Sequence, residues 1–177
     1  MFLTSIEYLL VFILSVNIIY LLIFSIASHC SPKNQEIRVN VLNRIVILIP
    51  AYKEDQVIME CVNSCLTQDY PKEKYDIIVI SDQMQDITIS TLEALPLKLI
   101  KVFFKDSTKA KALNYAMDEI GDNYDIAIIL DADNVVDSEF LSHINTSMNQ
   151  QGVEVVQAHR TAKNQNTKLA ILDAISE

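Results

Sequence analysis

The 177-residue chain is long enough for one domain and an appendage, and its formal net charge is −9. This acidic balance argues against nucleic-acid binding, which needs a basic surface, although a few lysines or a metal ion can offset it locally for an anionic ligand. The only two glycines, Gly121 and Gly152, rule out a glycine-rich dinucleotide turn and a P-loop. Three cysteines without a C-x-x-C pair or a Cys/His cluster indicate free thiols in a reducing compartment.

Residues 8–28 form an uncharged apolar run of roughly 20 residues, the length of helix that crosses a bilayer. A secretory signal peptide is the alternative, but no basic residue precedes the run and no clear cleavage pattern follows it. We predict a transmembrane anchor over residues 1–29 and a juxtamembrane linker over residues 30–43. Every lysine and arginine follows the run, so the positive-inside rule predicts a single pass through the cell (inner) membrane with the rest of the chain in the cytoplasm.

Beyond the linker, apolar runs alternate with helical patterns. The predicted strands are Arg44–Ile49, Tyr75–Ile80, Leu97–Phe104, Ile126–Leu130 and Val153–Ala158. The predicted helices are Gln56–Gln68, Ile87–Glu93, Lys109–Ile120, Ser138–Met148 and Lys168–Ser176. This alternation predicts an α/β fold with a largely parallel sheet, and the continuous apolar strands indicate helices on both faces. The fourth strand in particular is expected to be buried on both faces.

Carboxylates cluster after three of the predicted strands. Glu54 follows the first, Asp82 follows the second, and Asp131 and Asp133 follow the fourth. Parallel strands end at one edge of a sheet, so these residues are expected to converge there. In extended backbone Asp131 and Asp133 project to the same side, which suits Mg²⁺ or Mn²⁺. The alternative is that one Asp caps the next helix and the other is merely solvated.

Several other residues are candidates either for the site or for a structural role. Lys109 begins a helix, and a helix N-terminus with a lysine favours an anion. Glu54 either belongs to the site or caps the helix that follows it, and Asp55 is expected to cap that helix. Tyr52 either stacks on a ligand or packs within its loop, and Arg160 either meets a ligand or lies on the surface. The cysteine pair Cys61 and Cys65 is expected to face the core.

Four of these segments together resemble family 2 glycosyltransferases, specifically the membrane-anchored members similar to cellulose synthase and hyaluronan synthase. Residues 47–54 (ILIPAYKE) resemble the family's opening P-A-Y-N-E motif, and residues 78–82 (IVISD) resemble its second strand. Residues 109–114 (KAKALN) are similar to the G-K-A-x-A-L-N segment, and Asp131-Ala132-Asp133 matches the metal-binding Asp-x-Asp. The resemblance implies a GT-A fold for residues 44–177, covering the nucleotide-sugar-binding half of such a domain.

The resemblance also implies roles for individual residues. Ala51, Tyr52 and Glu54 would contact the nucleoside, and Asp82 would read a uracil ring. Lys109 would face the phosphates, and Asp131 and Asp133 would hold Mn²⁺ or Mg²⁺, Asp131 also lying toward the ribose. The implied reaction is inverting, metal-dependent transfer of a sugar from a UDP-sugar to a glycan or lipid acceptor.

The general base of such a reaction is not found in the chain. The family carries it in a Glu-Asp type motif well beyond the Asp-x-Asp, and no Glu-Asp pair follows Asp133. The base is therefore expected beyond Glu177. The alternative function is a catalytically incomplete fragment that binds a nucleotide sugar without transferring it.

Overall fold

The apolar runs of the sequence form one long helix and one parallel sheet. The structure, a computed structural model, describes residues 2–29, 41–151 and 153–161. Backbone contacts divide the chain into two compact units, Met1–Glu36 and Ile37–Glu177.

Helix α1 (Phe2–His29) contains the apolar run. Its segment Ile6–Ala27 has 22 residues with a mean hydropathy of 2.7 and no buried side chains. By length and composition alone this segment is able to cross a membrane, and an N-terminal signal sequence would meet the same criterion. Two polar side chains within it bond to the backbone of the preceding turn, since Ser15 Oγ donates to Val11 O at 2.7 Å and Asn17 Nδ2 donates to Ile13 O at 3.1 Å.

The second unit contains four parallel strands in the order β3-β2-β1-β4. The strands are β1 (Ile45–Tyr52), β2 (Tyr75–Asp82), β3 (Lys98–Val102) and β4 (Ile126–Ile129). The helices are α2 (Ile58–Leu66), α3 (Asp86–Glu93), α4 (Lys109–Ile120) and α5 (Phe140–Gln151), with a 3-10 turn at Lys72–Lys74. The chain builds outward from β1 to β3 and then returns to the other side of β1, so the strand order reverses between β1 and β4. The predicted parallel sheet is confirmed.

Alternate side chains of the strands pack on opposite faces of the sheet. One set, which includes Ile47 and Val79, packs against α2, α3 and α5. The other set, which includes Leu48 and Ile78, packs against Ala112 and its neighbours on α4. Helices therefore cover both faces of the central strands, and burying each of these large side chains contributes roughly 1.5–3 kcal/mol.

Strand β1 extends further than predicted, because Pro50 does not end it. Leu130 N donates to Leu48 O, so the even-numbered residues of β1 direct their backbone polar groups toward β4. Strand β4 pairs with β1 only as far as Leu48 opposite Ile129. Pro50 therefore lies beyond this pairing, where its missing N–H breaks no ladder hydrogen bond. The pairing with β2 continues to Tyr52 opposite Asp82.

Two predictions about strands are wrong. Strand β4 is not buried on both faces, because α4 packs on β1 and β2 and leaves Ile129 56% exposed. Residues 153–158 do not form a strand; Val155 is 83% exposed, and within the described residues no strand pairs with this segment. A β-strand needs a hydrogen-bonded partner, which an apolar alternation alone does not provide. The predicted helix Lys168–Ser176 lies outside the described residues.

Candidate active site

A cleft of about 350 Å³ lies at the carboxyl edge of the sheet, where the strand order reverses. Its walls come from the ends of β1, β2 and β4 and from the start of α4. The lining residues are Pro50, Ala51, Tyr52, Glu54, Ile80, Asp82, Ser107, Thr108, Lys109, Ala112, Asp131, Ala132, Asp133 and Arg160. The structure thus brings together all seven residues that the sequence nominated: Ala51, Tyr52, Glu54, Asp82, Lys109, Asp131 and Asp133. Their roles in binding stay predictions.

The loops after β1 and β2 turn away from the sheet in the same manner. Lys53 and Gln83, which follow the paired residues Tyr52 and Asp82, both have φ of 56°. Lys53 N donates to Asp82 O at 3.2 Å, which links the two turns. A non-glycine residue in this left-handed region costs about 1–2 kcal/mol. This backbone strain lies at the edge of the cleft, as is common at functional sites.

Asp82 is the buried carboxylate of the cleft. It is 3% exposed, and its Oδ1 is inaccessible and has no hydrogen-bond partner within the described part of the chain. A buried acceptor without a hydrogen bond lowers the stability of the folded protein by about 1–3 kcal/mol. A water molecule, an ion or a ligand that donates to this oxygen would satisfy it.

Asp131 and Asp133 lie in a turn after β4, which corrects the prediction that they project from extended backbone. Strand β4 ends at Ile129, and Asn134 N donates to Asp131 O at 3.1 Å to close the turn. Ala132 between them is buried, whereas Asp133 is exposed. Both carboxylates still line the cleft, because the turn directs them there.

The start of α4 supplies positive charge to the cleft. Thr108 caps the helix, and its side-chain oxygen accepts a hydrogen bond from Lys111 N at 3.2 Å. Lys109 Nζ forms an ion pair with Asp131 Oδ1, and both side chains are about half exposed. Solvent therefore screens the pair, and Lys109 is able to turn to another anion at little cost. The exposed helix N-terminus adds a favourable field for a phosphate group.

The carboxylates fit a cation that completes its coordination with a ligand. Within residues 6–27, 41–150 and 153–161, no three His, Cys, Asp or Glu side chains are grouped closely enough to hold a metal ion. Asp131 and Asp133 offer hard oxygen donors from two residues. Mg²⁺ commonly binds through one or two carboxylates together with substrate phosphates and water, and Mn²⁺ accepts the same oxygen donors. The donor set therefore suits a cation bound jointly with a diphosphate.

Asp55 does not cap the helix that follows it, contrary to the prediction. Helix α2 has no side-chain cap at Val57. Asp55 Oδ1 instead accepts a hydrogen bond from Gln85 N at 2.9 Å, across the turn after β2. Hydrogen bonds from the Thr88 hydroxyl and from this amide lower the pKa of Asp55 below its ordinary value. The carboxylate thus connects the loops that follow β1 and β2, since the two strands are neighbours in the sheet.

The sequence interpretation left Arg160 undecided and did not nominate Ser107 or Thr108, and all three line the cleft. Arg160 lies in an irregular segment, and no sequence pattern in that segment predicts its position beside the carboxylates. Ser107 and Thr108 carry a recognisable signal, because a Ser or Thr immediately before a helix is a common cap and the helix starts at the cleft.

The cysteines of α2 face the core, as predicted. Cys61 and Cys65 are both fully buried and not in a disulfide. Their mutual hydrogen bond, together with burial, raises the pKa of the Cys61 thiol. Cys61 therefore stays protonated and acts as a weak donor rather than as a nucleophile.

A larger cavity of about 680 Å³ lies at the opposite, amino edge of the sheet. Two of its charged groups already have partners. Asp76 accepts from Arg44 at 3.3 Å and from the Tyr124 hydroxyl at 2.9 Å. Lys72 Nζ donates to Leu66 O at 2.5 Å. Ligands of open parallel sheets bind at the carboxyl edge, so the smaller cleft is the stronger candidate.

A doubly wound parallel sheet with a polar cleft at its reversal point is an α/β architecture in which ligands commonly bind at that point. The family model described as "Glycosyltransferase like family 2" matches residues 43–176. The chain therefore belongs to glycosyltransferase family 2, and the resemblance read from its motifs is confirmed.

Two curated relatives illustrate the similarity. A dolichyl N-acetyl-alpha-D-glucosaminyl phosphate 3-beta-D-2,3-diacetamido-2,3-dideoxy-beta-D-glucuronosyltransferase of Methanococcus voltae is 28% identical over 146 residues, which are 77% of this chain and 41% of that protein. A poly-beta-1,6-N-acetyl-D-glucosamine synthase of Staphylococcus aureus is 30% identical over 110 residues, which are 60% of this chain and 26% of that protein. The chain therefore spans less than half the length of either relative.

Solved structures confirm the GT-A fold. The mannosyltransferase PcManGT of Pyrobaculum calidifontis, in complex with GDP-Man and Mn²⁺, superposes with a TM-score of 0.56 and 26% identity, over 67% of this chain and 36% of that chain. Staphylococcus aureus TarS 1-349 in complex with UDP-GlcNAc gives a TM-score of 0.53 over 68% of this chain and 38% of that chain. At 19% identity, TarS supports the fold alone.

Proposed function

We propose that the cleft binds a nucleoside-diphosphate sugar, namely a UDP-sugar, and that the chain is the donor-binding part of a metal-dependent, inverting glycosyltransferase acting on a glycan or lipid acceptor. The observation that carries the proposal is the buried Oδ1 of Asp82, which has no partner among the described residues. Uracil presents an N–H between two carbonyls, and this N–H is a suitable donor to such an oxygen.

The other cleft residues suit the rest of the donor. Tyr52 is 46% exposed and offers a ring face beside the base. Lys109 and the N-terminus of α4 suit the diphosphate. Asp131 and Asp133 would hold the cation, which would offset the negative charge of the leaving diphosphate. PcManGT, with its GDP-Man and Mn²⁺, supports this combination of ligands.

The charge of the cleft supports a requirement for metal. Four carboxylates line it, those of Glu54, Asp82, Asp131 and Asp133, against two cations, those of Lys109 and Arg160. A diphosphate entering this excess of negative charge would be repelled. A divalent cation bound at the same time removes the repulsion, so nucleotide and metal are expected to bind cooperatively.

We also propose that residues 1–29 anchor the protein in the cell membrane, that residues 30–43 form a linker, and that residues 44–177 lie in the cytoplasm. The apolar character of α1 supports the anchor. The basic residues Lys33, Arg38 and Arg44 after the helix support the orientation.

The test is calorimetric titration of the full chain with UDP, with and without MnCl₂, and with GDP for comparison. We expect UDP to bind measurably only with Mn²⁺, and Asp133→Ala to abolish this metal dependence. Asp118→Ala, which removes an exposed carboxylate from the last turn of α4, is the matched control and should bind as the unmodified chain does. An absence of metal-dependent UDP binding would refute the proposal.

A second candidate is that the chain binds the donor without transferring the sugar. The absence of any Glu-Asp pair after Asp133 favours it. Incubation with a labelled UDP-sugar and a glycan acceptor separates the two: labelled product shows that a base is present in the chain, whereas binding without product shows that it is not.

A further inference from the structure

We propose that Cys61, Ser64 and Gln68, here called the anchoring residues, position the loop that carries the cleft carboxylates and thereby set the affinity for the cation. The carboxylate loop is defined as residues 130–141. The inference rests on the function proposed above, because it concerns the cation of that site. None of the three anchoring residues lines the cleft.

The carboxylate loop has few backbone hydrogen bonds of its own. Between the end of β4 and the start of α5 the backbone is irregular. Its internal backbone hydrogen bonds are the turn from Asn134 N to Asp131 O at 3.1 Å and the one from Phe140 N to Asp137 O at 3.2 Å. Such a segment is held in place by the groups it packs against.

The anchoring residues supply contacts along this loop from one side of α2. Their spacing of i, i+3 and i+7 places them on one helical face, Gln68 lying just after the helix. The Cys61 thiol donates to Asp131 O at 3.6 Å, within the range for sulfur. The Ser64 hydroxyl accepts from Val136 N at 3.2 Å.

Gln68 makes the most complete set of these contacts. Its Nε2 donates to Asp137 O at 2.7 Å, and its Oε1 accepts from Leu141 N at 3.1 Å. The side chain is 4% exposed, so both bonds are shielded from water. The same Nε2 donates to Ser64 O at 3.0 Å, which ties the amide to α2.

Two further hydrogen bonds join Asp69, which follows α2, to the end of the loop and to the first turn of α5. Asp69 N donates to Ser138 O at 2.7 Å, and the Ser142 hydroxyl donates to Asp69 O at 2.8 Å. The loop is therefore bonded to α2 and the residues after it at its start, middle and end. Groups that orient metal ligands without touching the metal commonly change metal affinity 10- to 100-fold when removed.

The test uses the full chain and two substitutions. Gln68→Met keeps the length of the side chain and removes all three of its polar contacts, two to the loop and one to Ser64 O, and Ser64→Ala removes the hydroxyl. Calorimetry gives the Mn²⁺ affinity at saturating UDP, and amide hydrogen exchange of residues 130–137 reports the order of the loop without any ligand. We expect both variants to bind Mn²⁺ about tenfold more weakly and to exchange faster in the loop. Ser64→Thr, which restores the hydroxyl, should recover the affinity.

Two controls separate positioning from a general loss of stability. Ile100→Val lowers stability by roughly 1 kcal/mol from β3, at the far edge of the sheet. Ser90→Ala removes a hydroxyl that bonds only within α3, to Asp86 O at 2.8 Å. Both should keep the Mn²⁺ affinity within about twofold, because neither touches the carboxylate loop.

Each possible result either supports or overturns the proposal. Unchanged Mn²⁺ affinity in Gln68→Met would overturn it, as would a loss of affinity shared by Ile100→Val. If Gln68→Met does not fold, Ser64→Ala decides alone. If the unmodified chain binds no UDP with Mn²⁺, the function proposed above is wrong, and loop exchange then decides whether the anchoring residues order the loop.

Discussion

Asp82→Asn is expected to stabilise the free protein while weakening nucleotide binding. The native side chain is 3% exposed and keeps Oδ1 unpaired among the described residues. The unpaired acceptor costs about 1–3 kcal/mol, and the isosteric amide removes its charge without changing its volume. The amide still leaves one buried polar atom unpaired, but a neutral group costs less to desolvate than a carboxylate. We therefore expect the free energy of unfolding to rise by about 1–2 kcal/mol, which raises Tm by roughly 3–6 °C for a domain of this size. UDP affinity should fall at least about tenfold, since the neutral amide oxygen is a weaker acceptor for the N–H of the base than a carboxylate oxygen.

The matched control is Asp76→Asn, at the opposite end of β2. Asp76 is about half exposed, and its carboxylate is paired with Arg44 and with the Tyr124 hydroxyl. Asp76→Asn should lower the free energy of unfolding, by at most about 1 kcal/mol because solvent screens the pair. Thermal unfolding by circular dichroism gives both values. A fall in Tm for Asp82→Asn as well would show that Asp82 stabilises the free fold and would refute the reasoning.

Three further predictions test the edge of the cleft. At Lys53, where φ is 56°, Lys53→Asn should unfold at a higher temperature than Lys53→Val, with a spread of about 2 kcal/mol, because Asn tolerates the left-handed region and a β-branched residue does not. Lys109→Ala should weaken UDP binding yet strengthen the binding of Mn²⁺ alone, measured by electron paramagnetic resonance, by about two- to fivefold, since Asp131 loses a competing cation. Asp55→Asn should be less stable than the unmodified chain at pH 7, with the difference in Tm shrinking as the pH falls below about 4.

The expected change in stability with pH for Asp55→Asn follows from the direction of the pKa shift of Asp55. Its pKa is lowered in the folded protein, so the carboxylate stabilises the fold above its unfolded pKa and loses this effect as the pH falls through its folded pKa. A difference between the two proteins that stays constant down to pH 2 would contradict this. Equal Tm for Lys53→Asn and Lys53→Val, or a joint loss of UDP and Mn²⁺ binding in Lys109→Ala, would contradict the other two predictions.

Elements with purely local causes were predictable to the residue. Helix α4 begins and ends where its pattern indicates, since a Thr cap precedes it and Gly121, with φ of 57°, ends it. The existence of β1 and β2 was predicted as well, because continuous β-branched runs indicate burial on both faces, but both strands extend two or three residues beyond their predicted ends. The convergence of Glu54, Asp82 and Asp131 also followed from the sequence, because parallel strands end at one edge.

Features that depend on neighbours were not predictable. Pro50 remains within β1 because β4 is short, and Ile129 is exposed because α4 covers other strands. Asp55 bonds to Gln85 rather than to its own helix, because β1 and β2 are adjacent. None of these features can be predicted from a stretch of ten consecutive residues.

The sequence by itself determined the family, the order of strands and helices from β1 to α5, and seven of the residues that meet at the carboxyl edge of the sheet. These properties arise from side-chain periodicity, from local caps and from the common direction of the strands. Only the tertiary structure showed that Asp82 carries a buried oxygen with no partner among the described residues, and that Gln68 bonds to the loop after β4. Burial and hydrogen-bond pairing are set by groups far apart in the chain, so a sequence pattern does not contain them.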